Sequence, residues 1–160
     1  MTDLSALVEP HRVHRSIYVE PDIFAQEMEK IFGGTWVYLA HESQVAEPND
    51  FLTVRLGHRP GILTRDADGE LHGLLNRCAH RAATVCNEEC GSAKNFQCSY
   101  HGWTYSNRGD LVNVPFADGY PADFDKSDYG LSQMPSLADS QALIFGTLNP
   151  DPSSLLDWLG

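Results

Sequence analysis

From Trp36 onward, short runs of β-branched, aromatic and leucine residues alternate with polar, turn-forming words. The runs fall at 35–40, 51–56, 62–64, 71–75, 95–98, 111–114 and 142–148. Asp68-Gly69 and Arg108-Gly109 stand where tight hairpin turns would join them. Many short strands at such spacing predict a mainly β chain, an antiparallel sandwich or barrel. The stretch before Trp36 has a different period. After a lead-in arm over residues 1–20, Glu20-Pro21-Asp22 opens a short helix: Pro21 fits its first position, and Asp22 and Glu27 suit its positive end. Phe24, Met28 and Ile31 recur at helical spacing and are expected in the core, and Gly33-Gly34 ends the run. Residues 115–136, rich in Pro, Asp and Gly, predict an irregular surface loop; Asp118, Asp123, Asp125 and Asp128 lack the ligand spacing of an EF-hand. Residues 151–160 end the chain in a capped helical turn.

At 160 residues the chain can bury one real core and is short for two ordinary domains. A formal net charge of −11 repels a phosphate backbone and argues against nucleic-acid binding. No apolar run approaches the roughly 20 residues that span a bilayer, and the first residues lack the apolar stretch and small-residue cleavage site of a signal peptide. The expectation is a cytoplasmic protein. In that compartment Cys78, Cys86, Cys90 and Cys98 point to metal or redox chemistry before disulfides.

Two mixed pairs carry the chemistry. Cys78-Ala79-His80 follows the run at 71–75, and Cys98-Ser99-Tyr100-His101 follows the run at 95–98. Residues 81–97 between them hold a turn and a returning strand, so both loops can converge on one site. Two thiolates and two imidazoles suit tetrahedral zinc, and they suit a [2Fe–2S] cluster with two Cys on one iron and two His on the other. Common zinc patterns pair like with like on a local turn. Here each segment supplies one Cys and one His, which favours a rhomb with sulfur ligands at one end and nitrogen ligands at the other.

With its flanks, Cys78-Ala79-His80-Arg81 and Cys98-Ser99-Tyr100-His101-Gly102-Trp103-Thr104-Tyr105 resemble the CxHR…CxYHGWxY signature of bacterial Rieske non-haem iron aromatic-ring-hydroxylating oxygenases, in their large (alpha) subunit. The likeness extends to the entry Ile17-Tyr18, Ile23-Phe24, Glu27-Met28, Ile31-Phe32 and Trp36, which stand-alone Rieske ferredoxins generally lack. It implies a Rieske-type antiparallel β-sandwich with a cluster-binding part at about 76–106, within a domain at 36–150. Residues 1–35 would then be the N-terminal arm and helix, and 151–160 the junction to a catalytic domain. It also implies that Cys78 and Cys98 bind one iron and His80 and His101 the other. Respiratory relatives add a disulfide between the ligand loops; the corresponding positions here are Ala83 and Tyr100, and Cys86 and Cys90 read as free, packed thiols. The expected potential lies in the lower part of the Rieske range of roughly −150 to +300 mV.

The resemblance gives neighbouring residues roles around the cluster. Trp103 and Tyr105 are expected to pack beside it and exclude water, Tyr100 to aim its hydroxyl or amide at a sulfur, and Arg81 to pair with an acid or meet a partner. The exposed edges of His80 and His101 would face the catalytic iron of a neighbouring alpha subunit. That mononuclear iron, held by two His and one carboxylate, has no His-x4-His word in this chain, so no catalytic residue is assigned. The implied partners are a ferredoxin or flavin reductase donor, the neighbouring catalytic domain and a beta subunit. Ala82 and Ala142 stand where the family usually has Gly; Ala at position 82 costs stability if the loop there requires positive φ. A stand-alone Rieske ferredoxin and a Cys2His2 zinc module are the alternative readings.

Overall fold

The computed structural model describes residues 4–160. A turn at Leu4–Leu7, a ribbon of β1 (Val8–Glu9) and β2 (Arg12–Val13), and helices α1 (Ser16–Val19) and α2 (Pro21–Lys30) precede the sheets. The expected lead-in arm thus has local structure, apart from residues 1–3, which lie outside the described residues. β3 (Val37–His41), β4 (Asp50–Leu56), β5 (Arg59–Arg65) and β6 (Leu71–Leu75) follow, then β7 (Cys90–Ser92), β8 (Asn95–Gln97), β9 (Thr104–Ser106) and β10 (Leu111–Asn113). β11 (Ser136–Ser140), β12 (Leu143–Thr147) and α3 (Leu155–Leu159) complete the chain.

The central sheet has the order β6-β5-β4-β7, and two three-stranded sheets, β11-β12-β3 and β10-β9-β8, accompany it. All pairings are antiparallel. Period-two alternation divides the central sheet's side chains between two cores. Phe51, Ile62 and Leu74 face a core shared with Phe96, Trp103, Tyr105 and Leu111 of the cluster-loop sheet. Val54, Leu56 and Leu63 face the other, with Ala40, Met134 and Ile144. Gly61, Gly73 and Gly146 open room on that side for Met134 and Leu137, whose atoms a Cβ would meet at 2.5–3.3 Å. A smaller cluster of Trp36, Phe145 and Leu155 anchors α3, and the Trp36 indole N–H donates to Ser153 O at 2.9 Å.

A polar knot around the buried Asp66 ties the tip of the β5–β6 hairpin to the tip of the β9–β10 hairpin. Asp66, 1% exposed, accepts from the backbone N–H groups of Asp68 and Glu70, meets His72 Nε2 at 2.8 Å, and pairs with Arg108 at 3.0 Å. Arg108 also pairs with Asp68. These contacts, the His72 hydrogen bond foremost, hold the Asp66 carboxyl down at about 2, against the opposing pull of burial.

Several expectations need correction. Ile23 is the buried residue of α2, whereas Phe24 and Ile31 are about half exposed. The helix and the residues after it meet the β4–β5 turn, with Met28 and Phe32 against Gly57 and Phe24 edge-on to His58, which leaves Phe24 and Ile31 half open to solvent. β7 and β11 fall in stretches whose polar, Gly- and Ser-rich sequence hides them. Ala142 lies in the β11–β12 turn, not in a strand: Gln141 and Ala142 have φ of 50° and 66°, between the paired Ser140 and Leu143. Cys86 is buried as expected, but Cys90 is exposed on β7, and all four thiols are free.

Candidate metal centre

The second ligand loop is the turn of the β8–β9 hairpin; the first leaves the end of β6. Both follow one backbone plan. Cys78 O accepts from Ala82 N and Cys98 O from Gly102 N, each at 2.9 Å, while the two cysteine N–H groups donate to Ala83 O and Trp103 O, each at 2.8 Å. Each plan needs a left-handed residue four positions after the cysteine, and Ala82 and Gly102 have φ of 60° and 73°.

The thiols of Cys78 and Cys98 are buried, 4% and 2% exposed. Tyr105 of β9 is fully buried, accepts the Ala79 N–H at 3.1 Å and lies 3.1 Å from Cys78 Sγ. Burial, and then the Cys78 sulfur, push the phenol above its ordinary range, so its proton is available to the sulfur. At the other end the rings of His80 and His101 meet edge to face, 4.6 Å between centroids. His80 is half-buried and stacks on Trp103, 4.9 Å away and 9° from parallel. Burial first, then His101 and Arg81, hold its imidazole below the usual histidine range and favour the neutral, ligating form.

The donors fit the cluster that the residue pattern implies. His80 Nδ1 is buried with no hydrogen-bond partner, the single such side-chain atom among the described residues. An unpaired buried nitrogen is costly unless something binds it. Among the described residues no three His, Cys, Asp or Glu side chains are gathered for a single ion.

Residues 35–133 match the family model described as the Rieske [2Fe-2S] domain. The chain belongs to that family. The Rieske chain is 41% identical over 153 residues to the toluate 1,2-dioxygenase alpha subunit of Pseudomonas putida, covering 94% of this chain and 34% of the relative. It is 40% identical to the 2-halobenzoate 1,2-dioxygenase large subunit of Burkholderia cepacia, covering 93% of this chain and 33% of the relative. It thus spans about a third of the length of these curated relatives. Among solved structures, naphthalene 1,2-dioxygenase from Rhodococcus sp. bound to indole superposes with a TM-score of 0.90 and 44% identity, covering 98% of this chain and 36% of that one. A quaternary ammonium Rieske monooxygenase with L-carnitine gives 0.82 and 26% over 91% of this chain and 41% of that one.

Around the Rieske loops the other expected residues take distinct places. Trp103 is buried against His80, and Tyr105 does more than pack, since its hydroxyl reaches a cysteine. Tyr100, 59% exposed, lays its ring on His101 at 3.8 Å, so its side chain serves the histidine end and not a sulfur. Arg81 is exposed, with no ion pair among the described residues. The stretch at 115–136 is more than a solvated loop. Its Tyr120 hydroxyl accepts the Trp103 indole N–H at 2.9 Å, and Phe124 and Tyr129 pack edge-on to the same indole. Aromatic residues at 120, 124 and 129 within a polar segment were the available signal for this cover.

Proposed function

We propose that Cys78 and Cys98 hold one iron and His80 and His101 the other of a [2Fe–2S] cluster, and that the chain is the electron-transfer domain, at about residues 36–150, of an aromatic-ring-hydroxylating oxygenase large subunit. The observation that carries the ligand assignment is the arrangement itself: two buried thiols on matching loops, two imidazoles side by side, and the partnerless His80 Nδ1.

When bound, the cluster supplies reversible one-electron redox chemistry. The chain's residues set the conditions for it. Tyr105 donates to the Cys78 sulfur and offsets its negative charge. Trp103, under its cover of Tyr120, Phe124 and Tyr129, keeps water from the inner face of His80. His101 is exposed, so its ring forms the surface nearest an acceptor. The acceptor would be a mononuclear iron in the catalytic domain of a neighbouring alpha subunit. Inter-subunit electron transfer is described for the quaternary ammonium Rieske monooxygenase, one of the structural neighbours, which supports that route. The names of the toluate and halobenzoate relatives favour an aromatic acid or hydrocarbon as substrate of the whole protein. A ferredoxin or flavin reductase as electron donor, a beta subunit and a cytoplasmic location complete the reading. Among the described residues no helix is long and apolar enough to cross a membrane.

Iron and acid-labile sulfide in equal amounts, with an EPR signal on reduction that changes or vanishes in His101→Cys, are the expected results. A colourless protein with one zinc per chain would overturn the assignment.

A further inference from the structure

The two ligand loops share a plan and differ in what closes them. The second is sealed by a ladder, because the pair next to it, Gln97 and Thr104, is in register between β8 and β9. The first has no such ladder: residues 84–89 belong to no strand. Where the ladder would stand, the structure has the side chain of Asn76. Its Oδ1 accepts the backbone N–H groups of Val85 and Cys86, each at 2.9 Å, and its Nδ2 donates to Cys86 O at 2.7 Å. Only one amide orientation satisfies two donors and one acceptor, so the flip is settled by the partners. Asn76 is 4% exposed, and its own N–H donates to Pro60 O at 2.9 Å, which fixes it to the central sheet.

We propose that Asn76 is the positioning residue of the first ligand loop. One side chain replaces a pair of strands, joining the residue two before Cys78 to the segment that leaves the loop. Its three bonds hold both ends of the loop that presents Cys78 and His80. The buried side chains of Val85 and Cys86 add packing to this segment, and the Asn76 amide binds its backbone to the start of the loop, beyond the Cys78 N–H bond to Ala83 O that has its counterpart in the second loop. The second loop keeps its shape through the β8–β9 ladder and owes nothing to Asn76. The inference rests on the ligand reading above for its consequence at the cluster, but loop closure can be measured without it.

The test compares wild type, Asn76→Asp and Asn76→Leu by amide hydrogen exchange, with metal and sulfide analysis and EPR on the same preparations. The informative amides are those of Cys78 and Ala82, which Asn76 does not touch, against Cys98 and Gly102 in the matching loop. Removing three hydrogen bonds, each worth about a few-fold in an opening equilibrium, predicts at least tenfold faster exchange at Cys78 and Ala82 in Asn76→Leu. Cys98 and Gly102 should stay within about twofold of wild type. Asn76→Asp keeps an acceptor for Val85 and Cys86 but faces Cys86 O with a second oxygen, so it should fall between; it carries the comparison alone if Asn76→Leu does not fold. A changed EPR line shape in the loaded variants completes the expected result. Equal acceleration in both loops, or none in the first, overturns the proposal. Wild type lacking iron and sulfide would instead overturn the ligand reading, leaving the exchange comparison to decide loop closure.

Discussion

Replacing Ala82 by glycine should make this protein more stable, although it removes a methyl group. Ala82 sits at φ 60°, where an L-residue is strained by about 1–2 kcal/mol. Glycine is free of that strain but loses about 0.5–1 kcal/mol more backbone entropy on folding. Ala82 is exposed, so no core packing is forfeited. The net gain is about 0.5–1 kcal/mol, or roughly 1–4 °C in Tm for a chain of this size. Gly102 supplies the opposite experiment on the same backbone plan. An alanine there meets the left-handed strain at φ 73°, and its Cβ would lie 2.9 Å from Pro115 Cγ, a ring atom with little room to move. Gly102→Ala should therefore cost about 2 kcal/mol or more, roughly 4–8 °C. Both variants are compared with wild type as loaded proteins, by circular dichroism and visible absorbance at one fixed scan rate, because cluster loss makes unfolding irreversible. Ala82→Gly melting at or below wild type, or Gly102→Ala melting with it, would refute the strain argument.

Four further outcomes are expected. Tyr105→Phe removes a donor from the Cys78 sulfur; such a bond is worth about 1.5–3 kcal/mol, and since only the difference between redox states counts, the potential should fall by some tens of mV in direct voltammetry. Asp66 titrates at about 2 when folded and near 3.8 when unfolded, so its stabilisation is complete above about pH 4 and is lost as pH falls through 2. Urea midpoints should then drop by the equivalent of about 2 kcal/mol over that window in wild type, and by clearly less in Asp66→Asn. Both central residues of the β11–β12 turn have positive φ, so Gln141→Asn with Ala142→Gly should raise Tm by roughly 2–4 °C, read by calorimetry. A maleimide should label native protein at Cys90 alone, because Cys86 is buried and burial pushes its thiol up; peptide mapping that finds Cys86 labelled at the same rate would contradict the packing.

The proposed ligand set is legible in the sequence because it is a matter of residue type at fixed short spacing, and loops carry such information locally. The central strands were legible for a related reason: 51–56, 62–64 and 71–75 bury a face on each side, and the apolar runs record it. β11 left no such record. It is an edge strand of Ser, Ala and Asp whose residues are mostly half-buried, so no alternation marks it. The aromatic cover of Trp103 and the Asn76 amide were hidden for another reason. Each depends on contacts made by irregular backbone, where no period links the partners: residue 103 with 120, 124 and 129, residue 76 with 85 and 86. Phe24 and Ile31 failed in the opposite sense, since helical spacing reveals an apolar stripe but not how much of it a neighbour covers. Residue identity therefore locates the donors, while their orientation comes from groups that only the fold brings near. Ala82 joins the two levels. Its departure from glycine was visible in the sequence, but its cost follows only from a φ of 60°.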